Sequence, residues 1–287
     1  MSEVTIGLIG GSGLYGMKDL ENVEEVTLDT PYGSPSDAYI IGTLSGQRVA
    51  FLPRHGRGHI FMPGEVPSRA NIYGFKQLGV RYLVSISAVG SLRDDFAPGH
   101  VVIPNQIFDR TKGIRPATFY GEGIVVHAGF DHPFCPVLSE KLYAAAQQAG
   151  ATVHRGGTYV CMEGPQFSTI AESEENRRRG HDLIGMTALP EAKLAREAEI
   201  AYATLAMVTD YDCWHPDHDS VTVETIIAVL NANVELSQRI VREVVPAIGE
   251  GFESPAHSAL ATAIITDRSR ISAATRERVA LLVGKYL

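Results

Sequence analysis

The chain has 287 residues, 45% of them hydrophobic and 20% charged, and carries a net charge of −8. That composition fits a soluble globular protein long enough to bury a full core, and the acidic balance disfavours a nucleic-acid or anionic-membrane surface. An anionic small substrate needs only one or two local arginines and is compatible with it. No apolar run approaches the roughly 18 residues that span a bilayer. Met1-Ser2-Glu3-Val4 has no basic stretch ahead of an apolar core, so no signal peptide is expected. Cys135, Cys161 and Cys213 are odd in number, far apart and in no metal spacing, which fits a reducing cytoplasm and small buried hydrophobes.

In chain order, residues 4–9 read as a buried strand entering the loop Gly10-Gly11-Ser12-Gly13-Leu14-Tyr15-Gly16. Residues 37–44 and 47–52 flank Ser45-Gly46 as a hairpin. Residues 67–78 read as a helix with Pro67 in its first turn and Gly79 just past its end. A strand at 82–87 runs into a glycine turn, a short strand is expected at 101–104, and 110–134 is loop-rich. Helices follow at 138–149, closed by Gly150, and at 191–199, and 200–208 is a buried strand. Residues 221–245 form a long helix. After a break at 249–255 the tail of 251–287 holds two short helices, the last with Val279, Leu282, Val283 and Tyr286 on one stripe. Strands alternating with helices predict an α/β fold flanked by helices, and the hairpin makes its central sheet mixed. With no repeat, low-complexity tract or polar linker, 1–287 reads as a single domain.

Gly11-Ser12-Gly13-Leu14-Tyr15-Gly16 satisfies the dinucleotide fingerprint G-x-G-x-x-G, and Asp29 follows near the place of a ribose-binding acid. The fingerprint also needs a long helix after the loop, and 17–23 leaves room for two helical turns at most. A dehydrogenase is therefore rejected. What survives is a loop of backbone N–H groups with the Ser12 hydroxyl, suited to phosphate, or else a tight turn with no ligand.

Arg54-His55-Gly56-Arg57-Gly58-His59 sets two arginines and two histidines among glycines. Glycines let the backbone approach a ligand, and an arginine fork matches two phosphate oxygens at once. His55 and His59 have the spacing of a helical metal pair, but Gly56 and Gly58 oppose a helix; a solvated basic turn is the plain alternative. The most informative segment is Ala206-Met207-Val208-Thr209-Asp210-Tyr211-Asp212-Cys213-Trp214, a run suited to a buried strand that ends in two aspartates one residue apart. In an extended chain residues i and i+2 face the same way, so both carboxylates are expected to look into one cavity. Two close carboxylates do not both ionise cheaply, and one then keeps its proton above the reference of about 3.9. A donor beside an acceptor suits a purine edge. The competing reading is an Asx turn that caps the strand.

Together, the glycine loop with Ser12, the Arg54-His55-Gly56 turn, Ser87-Ala88-Val89-Gly90-Ser91-Leu92, Glu163-Gly164-Pro165, Gly185-Met186-Thr187 and Asp210-Tyr211-Asp212-Cys213-Trp214 resemble the purine nucleoside phosphorylase superfamily, trimeric branch. The likeness runs in order from about Ile6 to Leu230, weakens in the tail, and is fullest with members that cleave S-methyl-5′-thioadenosine. It implies phosphorolysis to adenine and 5-methylthioribose 1-phosphate, in purine and methionine salvage. It also implies inorganic phosphate as co-substrate, no cofactor or metal, and a cytoplasmic homotrimer. By that resemblance Ser12, Arg54, His55, Ser87, the Ala88 amide and Thr187 surround phosphate, and the Met186 backbone meets the ribose. Phe167 and Ser168 line the purine, and Asp210 and Asp212 hold its N7 and amino edge. Val223, Ile226 and Ile227 cover the 5′-methylthio group, with His127 from a neighbouring subunit. Without the resemblance that apolar trio reads as plain helix core. Ser12 and Ser87 stand where many relatives have threonine, which keeps the hydroxyl, and Gln166 stands where an arginine is common. The aspartate pair leans to 6-aminopurines. A 6-oxopurine phosphorylase of the same fold is the near alternative, and a non-catalytic nucleoside-binding protein the distant one.

Overall fold

The computed structural model describes residues 4–11, 16–216 and 223–287, with the side chains of 223–232 outside the described set. Ser12 and the side chains of Val223, Ile226 and Ile227 therefore lie outside the described residues.

Among the described residues eleven strands join in one mixed sheet. β1 (Ile6–Gly10) lies parallel between β4 (Gln47–Pro53) and β5 (Tyr82–Ser91) and is buried throughout, as a strand covered on both faces should be. β3 (Tyr39–Leu44) returns antiparallel to β4 through Ser45 and Gly46, whose φ values of 49° and 77° are the left-handed pair of a tight hairpin. β2 (Glu21–Val26) closes this edge with exposed acids, a common guard against further pairing. It takes the place of the helical turns allowed at 17–23, so the βαβ unit of a dinucleotide fold is absent, as expected.

On the other flank β11 (Ala201–Asp210) runs parallel to β5, and β6 (Val101–Ile103) and β8 (Val153–Arg155) extend the sheet outward. A further wing of β10 (Leu183–Gly185), β9 (Thr158–Met162) and β7 (Gln106–Arg110) attaches to the far end of β5. Helices cover both faces. α1 (Ser68–Gln77), α4 (Ala188–Glu197) and α6 (Ala273–Val283) pack on one, and α2 (Pro136–Gln148) and α5 (Val223–Gly249) on the other. α3 (Ile170–Arg178) is a polar outer helix.

The expected elements are present with shifted ends. α5 continues past 245, through Pro246, to Gly249, and of the two tail helices only α6 is α-helical; the other is a pair of 3-10 turns, Pro255–Ser258 and Arg268–Arg270. Val279, Leu282 and Val283 are buried as their stripe required. The glycine turn foreseen after Ser87 is instead strand, because β5 runs on to Ser91. That continuation makes the site. β1 stays with β5 as far as Ile9↔Ser85, and β10 joins it only at Ile184↔Gly90. Between these points residues 86–89 have a partner strand, β11, on one side alone.

Candidate active site

The open flank of β5 faces a cavity of ≈ 790 Å³. Gly10, Arg54, Ile86 to Gly90, Gly185 to Thr187 and Asp210 converge on it from the ends of β1, β4, β5, β10 and β11. A sheet of this class binds its ligands there, outside the carboxyl ends of the strands.

At one end stand the aspartates. Asp210 follows a bulge at the end of β11, and its Oδ1 accepts a hydrogen bond from the Asp212 N–H at 2.8 Å while Oδ2 meets the Thr209 hydroxyl at 2.6 Å. The Asp212–Asp210 bond is an Asx turn, and Asp212 has a φ of 53°. Both sequence readings therefore hold in part. The carboxylates do line one cavity, but a turn with left-handed backbone brings them there, not the two-residue period of a strand. Burial, far more than the neighbouring charge, pushes the Asp210 carboxyl up to about 6, against the pull of the Thr209 hydroxyl and the Asp212 amide. Burial also raises Asp212, with Ser173 and Ser168 pulling it partway back. Asp212 Oδ2 is buried with no hydrogen bond among the described residues, an acceptor left unmatched beside the cavity that the residue lines. Phe167 sits at the rim, 43% exposed. Ser168 is not part of the lining; it lies behind Asp212, its carbonyl meeting the Cys213 thiol at 3.4 Å.

The other end is built differently. Arg54 is 3% exposed, and Glu191 of α4 takes Nε at 2.8 Å and Nη2 at 3.1 Å. Nη2 also meets the Ser85 hydroxyl at 2.7 Å and the Ile9 carbonyl at 3.3 Å, and Nη1 gives one bond to the Ile86 carbonyl at 3.2 Å. Of the five N–H donors of a guanidinium, one on Nη1 remains for a ligand among the described residues. The bidentate fork expected for phosphate is thus occupied by Glu191, and Arg54 offers the cavity its charge and a single donor. His55 gives its Nδ1 to the Phe61 carbonyl at 2.8 Å and stacks on His59; burial first and Arg54 second lower it to about 4, so it is neutral at pH 7. The hydroxyls of Ser87 and Thr187 meet at 2.8 Å. Thr187 is the N-cap of α4 but makes no capping bond; its hydroxyl meets those of Ser87 and, at 3.4 Å, Tyr159 instead. The Ile86 carbonyl points to the open flank of β5, since Arg54 reaches it there. The alternation of backbone groups along a strand turns the Ala88 N–H the same way.

Between the two ends lies Met186, whose carbonyl is held by Arg115 Nη1 at 2.7 Å. Its sulfur packs where Gly164, at φ 68°, has no side chain. The apolar wall of His59 to Pro63, and Asn233, Val234 and Ser237 on α5, complete the lining.

The pattern of the phosphorylase superfamily matches residues 5–246. The chain belongs to the phosphorylase superfamily. The S-methyl-5′-thioadenosine phosphorylase of Chloroflexus aurantiacus is 71% identical over 286 residues, covering 100% of this chain and 99% of its own. The same enzyme of Geobacter sulfurreducens is 55% identical over 99% of this chain and 100% of its own. A methylthioadenosine phosphorylase sourced from an antarctic soil metagenomic library has a solved structure with a TM-score of 0.94 at 49% identity, covering 98% of this chain and 99% of that one. A variant of the adenosine/methylthioadenosine phosphorylase of Schistosoma mansoni, solved with methylthioadenosine, gives 0.81 at 34% identity over 87% and 93%. These likenesses extend into the tail, where the motif resemblance faded.

Of the residues that the sequence marks for the site, Arg54, His55, Ser87, Ala88, Thr187, Met186, Phe167, Asp210 and Asp212 all lie on the cavity lining. His127 does not. It is exposed, with its N–H on the Ala263 carbonyl at 2.9 Å. Sequence reading missed Glu191, Arg115, the 59–63 wall and the cavity face of α5. Nothing local marks Glu191 or Arg115, because their partners are remote in sequence.

Proposed function

We infer that the protein catalyses the phosphorolysis of S-methyl-5′-thioadenosine to adenine and 5-methylthioribose 1-phosphate. The observation that carries this reading is a buried carboxyl pair at one end of a cavity whose other end gathers a buried arginine and two linked hydroxyls, in a chain 71% identical to such an enzyme along its full length. A phosphate oxygen attacks ribose C1′ from the face opposite the base while the C1′–N9 bond breaks and its electron pair passes to the purine, so the configuration at C1′ inverts. Positive charge grows on the sugar and negative charge on the base, and a site that stabilises both lowers the barrier. Arg54, the hydroxyls of Ser12, Ser87 and Thr187, and the Ala88 amide hold phosphate. Its charge balances the oxocarbenium-like sugar, and positioning alone supplies several kcal/mol. Neutral His55, with Nδ1–H already given to Phe61, offers Nε2 as an acceptor for a phosphate proton. Asp210, with its raised pKa, gives a proton to purine N7 as general acid. The Asp212 carboxylate accepts from the exocyclic amino group, which favours 6-aminopurines. The Met186 backbone meets the ribose, Phe167 flanks the purine while Ser168 backs Asp212 from outside the lining, and the trio Val223, Ile226 and Ile227 covers the methylthio group.

The chain acts as one domain, tail included, with inorganic phosphate as co-substrate and no cofactor, in purine and methionine salvage. Among the described residues no helix is long and apolar enough to cross a membrane, and three free cysteines fit a cytoplasmic setting. An exposed His127 away from its own cavity fits a homotrimer in which it completes a neighbour's 5′ pocket. His127→Ala protein mixed with Asp210→Asn protein should then recover activity, because one mixed site keeps both groups. Monomers with full activity would rule the shared site out. Assays of methylthioadenosine, adenosine and inosine, each with and without phosphate, test the whole reading: turnover of the first only with phosphate is expected, and phosphate-independent binding without turnover would overturn it.

A further inference from the structure

Arg115 lies outside the cavity lining, is 7% exposed, and belongs to an irregular stretch between β7 and α2. Its Nε reaches Glu163 Oε1 at 2.6 Å, and the other Glu163 oxygen accepts the Lys112 N–H at 2.8 Å. Nη1 meets the carbonyls of Met186 and Leu189, both at 2.7 Å, and Nη2 meets those of Met162 at 3.2 Å and Glu163 at 2.5 Å.

The place of these acceptors in the sheet gives the cluster its meaning. β9 and β10 are paired as far as Cys161↔Gly185. The next residues along the chain are Met162 and Met186, and both line the cavity. From there the chains separate, one into Gly164-Pro165-Gln166-Phe167 on the purine side, the other into Thr187 and α4 on the phosphate side. One planar guanidinium thus bridges the two strands at the first step beyond their last backbone pairing. It ties the purine wall to the sugar and phosphate wall. Its partner Glu163 also lies close to Gly64, the residue after the 59–63 wall, where a side chain would come within 3.3 Å of Glu163 Oε1.

We propose that Arg115 is a positioning residue that sets the separation of the purine-binding and phosphate-binding walls by clamping the Met162 and Met186 carbonyls with one guanidinium. The inference rests on the phosphorolysis reading for its kinetic consequence, not for its geometry. A lysine keeps the charge beside Glu163 but, as a point donor, does not span both carbonyls. Charge and span are therefore separable.

Arg115→Lys and Arg115→Met are compared with wild type in steady-state phosphorolysis of methylthioadenosine, with folded fraction measured by circular dichroism and amide hydrogen exchange followed in ligand-free protein. Expected for Arg115→Lys is a fold of wild-type content, kcat per folded site lowered at least tenfold, KM for phosphate changed less than threefold, and faster exchange in 163–168 and 186–189 alone. Millimolar guanidinium added to Arg115→Met should restore part of kcat where ammonium does not. Wild-type kcat per folded site in Arg115→Lys, or exchange that quickens throughout the chain, would overturn the clamp and leave Arg115 as a stabilising ion pair. If wild type itself fails to turn over methylthioadenosine, the phosphorolysis reading falls. The local exchange pattern still decides the clamp.

Discussion

The two ends of the cavity handle buried charge in opposite ways. At the arginine end Arg54 is almost wholly matched before any ligand arrives, with Glu191, Ser85, Ile9 and Ile86 around it. At the aspartate end, among the described residues, the carboxyls meet only amides and hydroxyls and no cation, and Asp212 Oδ2 makes no hydrogen bond. A paired charge is rigid and keeps its ionisation. An unpaired one stays poised between protonation states, as proton transfer to a leaving base requires.

Arg54→Ala should give the largest effect. It strands Glu191 in the interior, and breaking a buried pair costs about 3–5 kcal/mol, which denaturant unfolding would measure. A raised KM for phosphate is expected alongside this loss of stability. Arg54→Met combined with Glu191→Leu should recover stability without phosphate affinity. Unchanged stability in Arg54→Ala would erase the contrast between the two ends.

Asp210→Asn should do the reverse. The Asp210 carboxyl titrates at about 6 in the folded chain against a reference of 3.8. Its favourable contribution is thus present below the reference value and lost as pH rises through about 6. At pH 8 the asparagine variant should be more stable than wild type by roughly 1–3 kcal/mol, after discounting for partial exposure. The same change should slow adenine release at least tenfold, about 1.4 kcal/mol, and raise the inosine to adenosine ratio. Equal losses on both nucleosides would remove Asp210 from the base edge.

In wild type, kcat/KM for the nucleoside should decline above a pH near 6, where Asp210 loses its proton, and Asp210→Asn should lack that limb. A limb that persists in the variant assigns it elsewhere. The mildest change is Gly90→Ala. Its Cβ would come within 2.9 Å of Asp210 Oδ1 and 3.1 Å of Ile184 Cγ2. It should lower kcat several-fold, roughly 1 kcal/mol, with KM for phosphate unmoved. A shifted phosphate KM would mean that the ends are coupled.

The long apolar runs behind β1, β5 and β11 and the capped periodicity of α1 and α2 made those elements legible from the sequence. β8 and β10 have three residues each, too few for any period to register, and β2 is a row of acids at an edge. α3 has no apolar stripe, yet Thr169 and Glu172 form a reciprocal capping box that marks its start. The aspartate pair was legible as chemistry but not as geometry, because the bulge before Asp210 and the left-handed Asp212 replace the strand period. Arg115 reads locally as one more basic loop residue. Its role depends on carbonyls at 162, 163, 186 and 189 that only the fold assembles.

An unpaired strand flank is ordinarily a hazard, since it offers a template to any extended chain that reaches it. The flank of β5 at residues 86–89 lines the cavity and is set behind its walls. In the proposed phosphorolysis, phosphate oxygens serve as the missing neighbour, accepting from the Ala88 N–H in the place of a strand carbonyl. Hydrogen exchange at Ala88 should slow when phosphate is added, while the amides of Ser87 and Val89, turned toward β11, keep their rates.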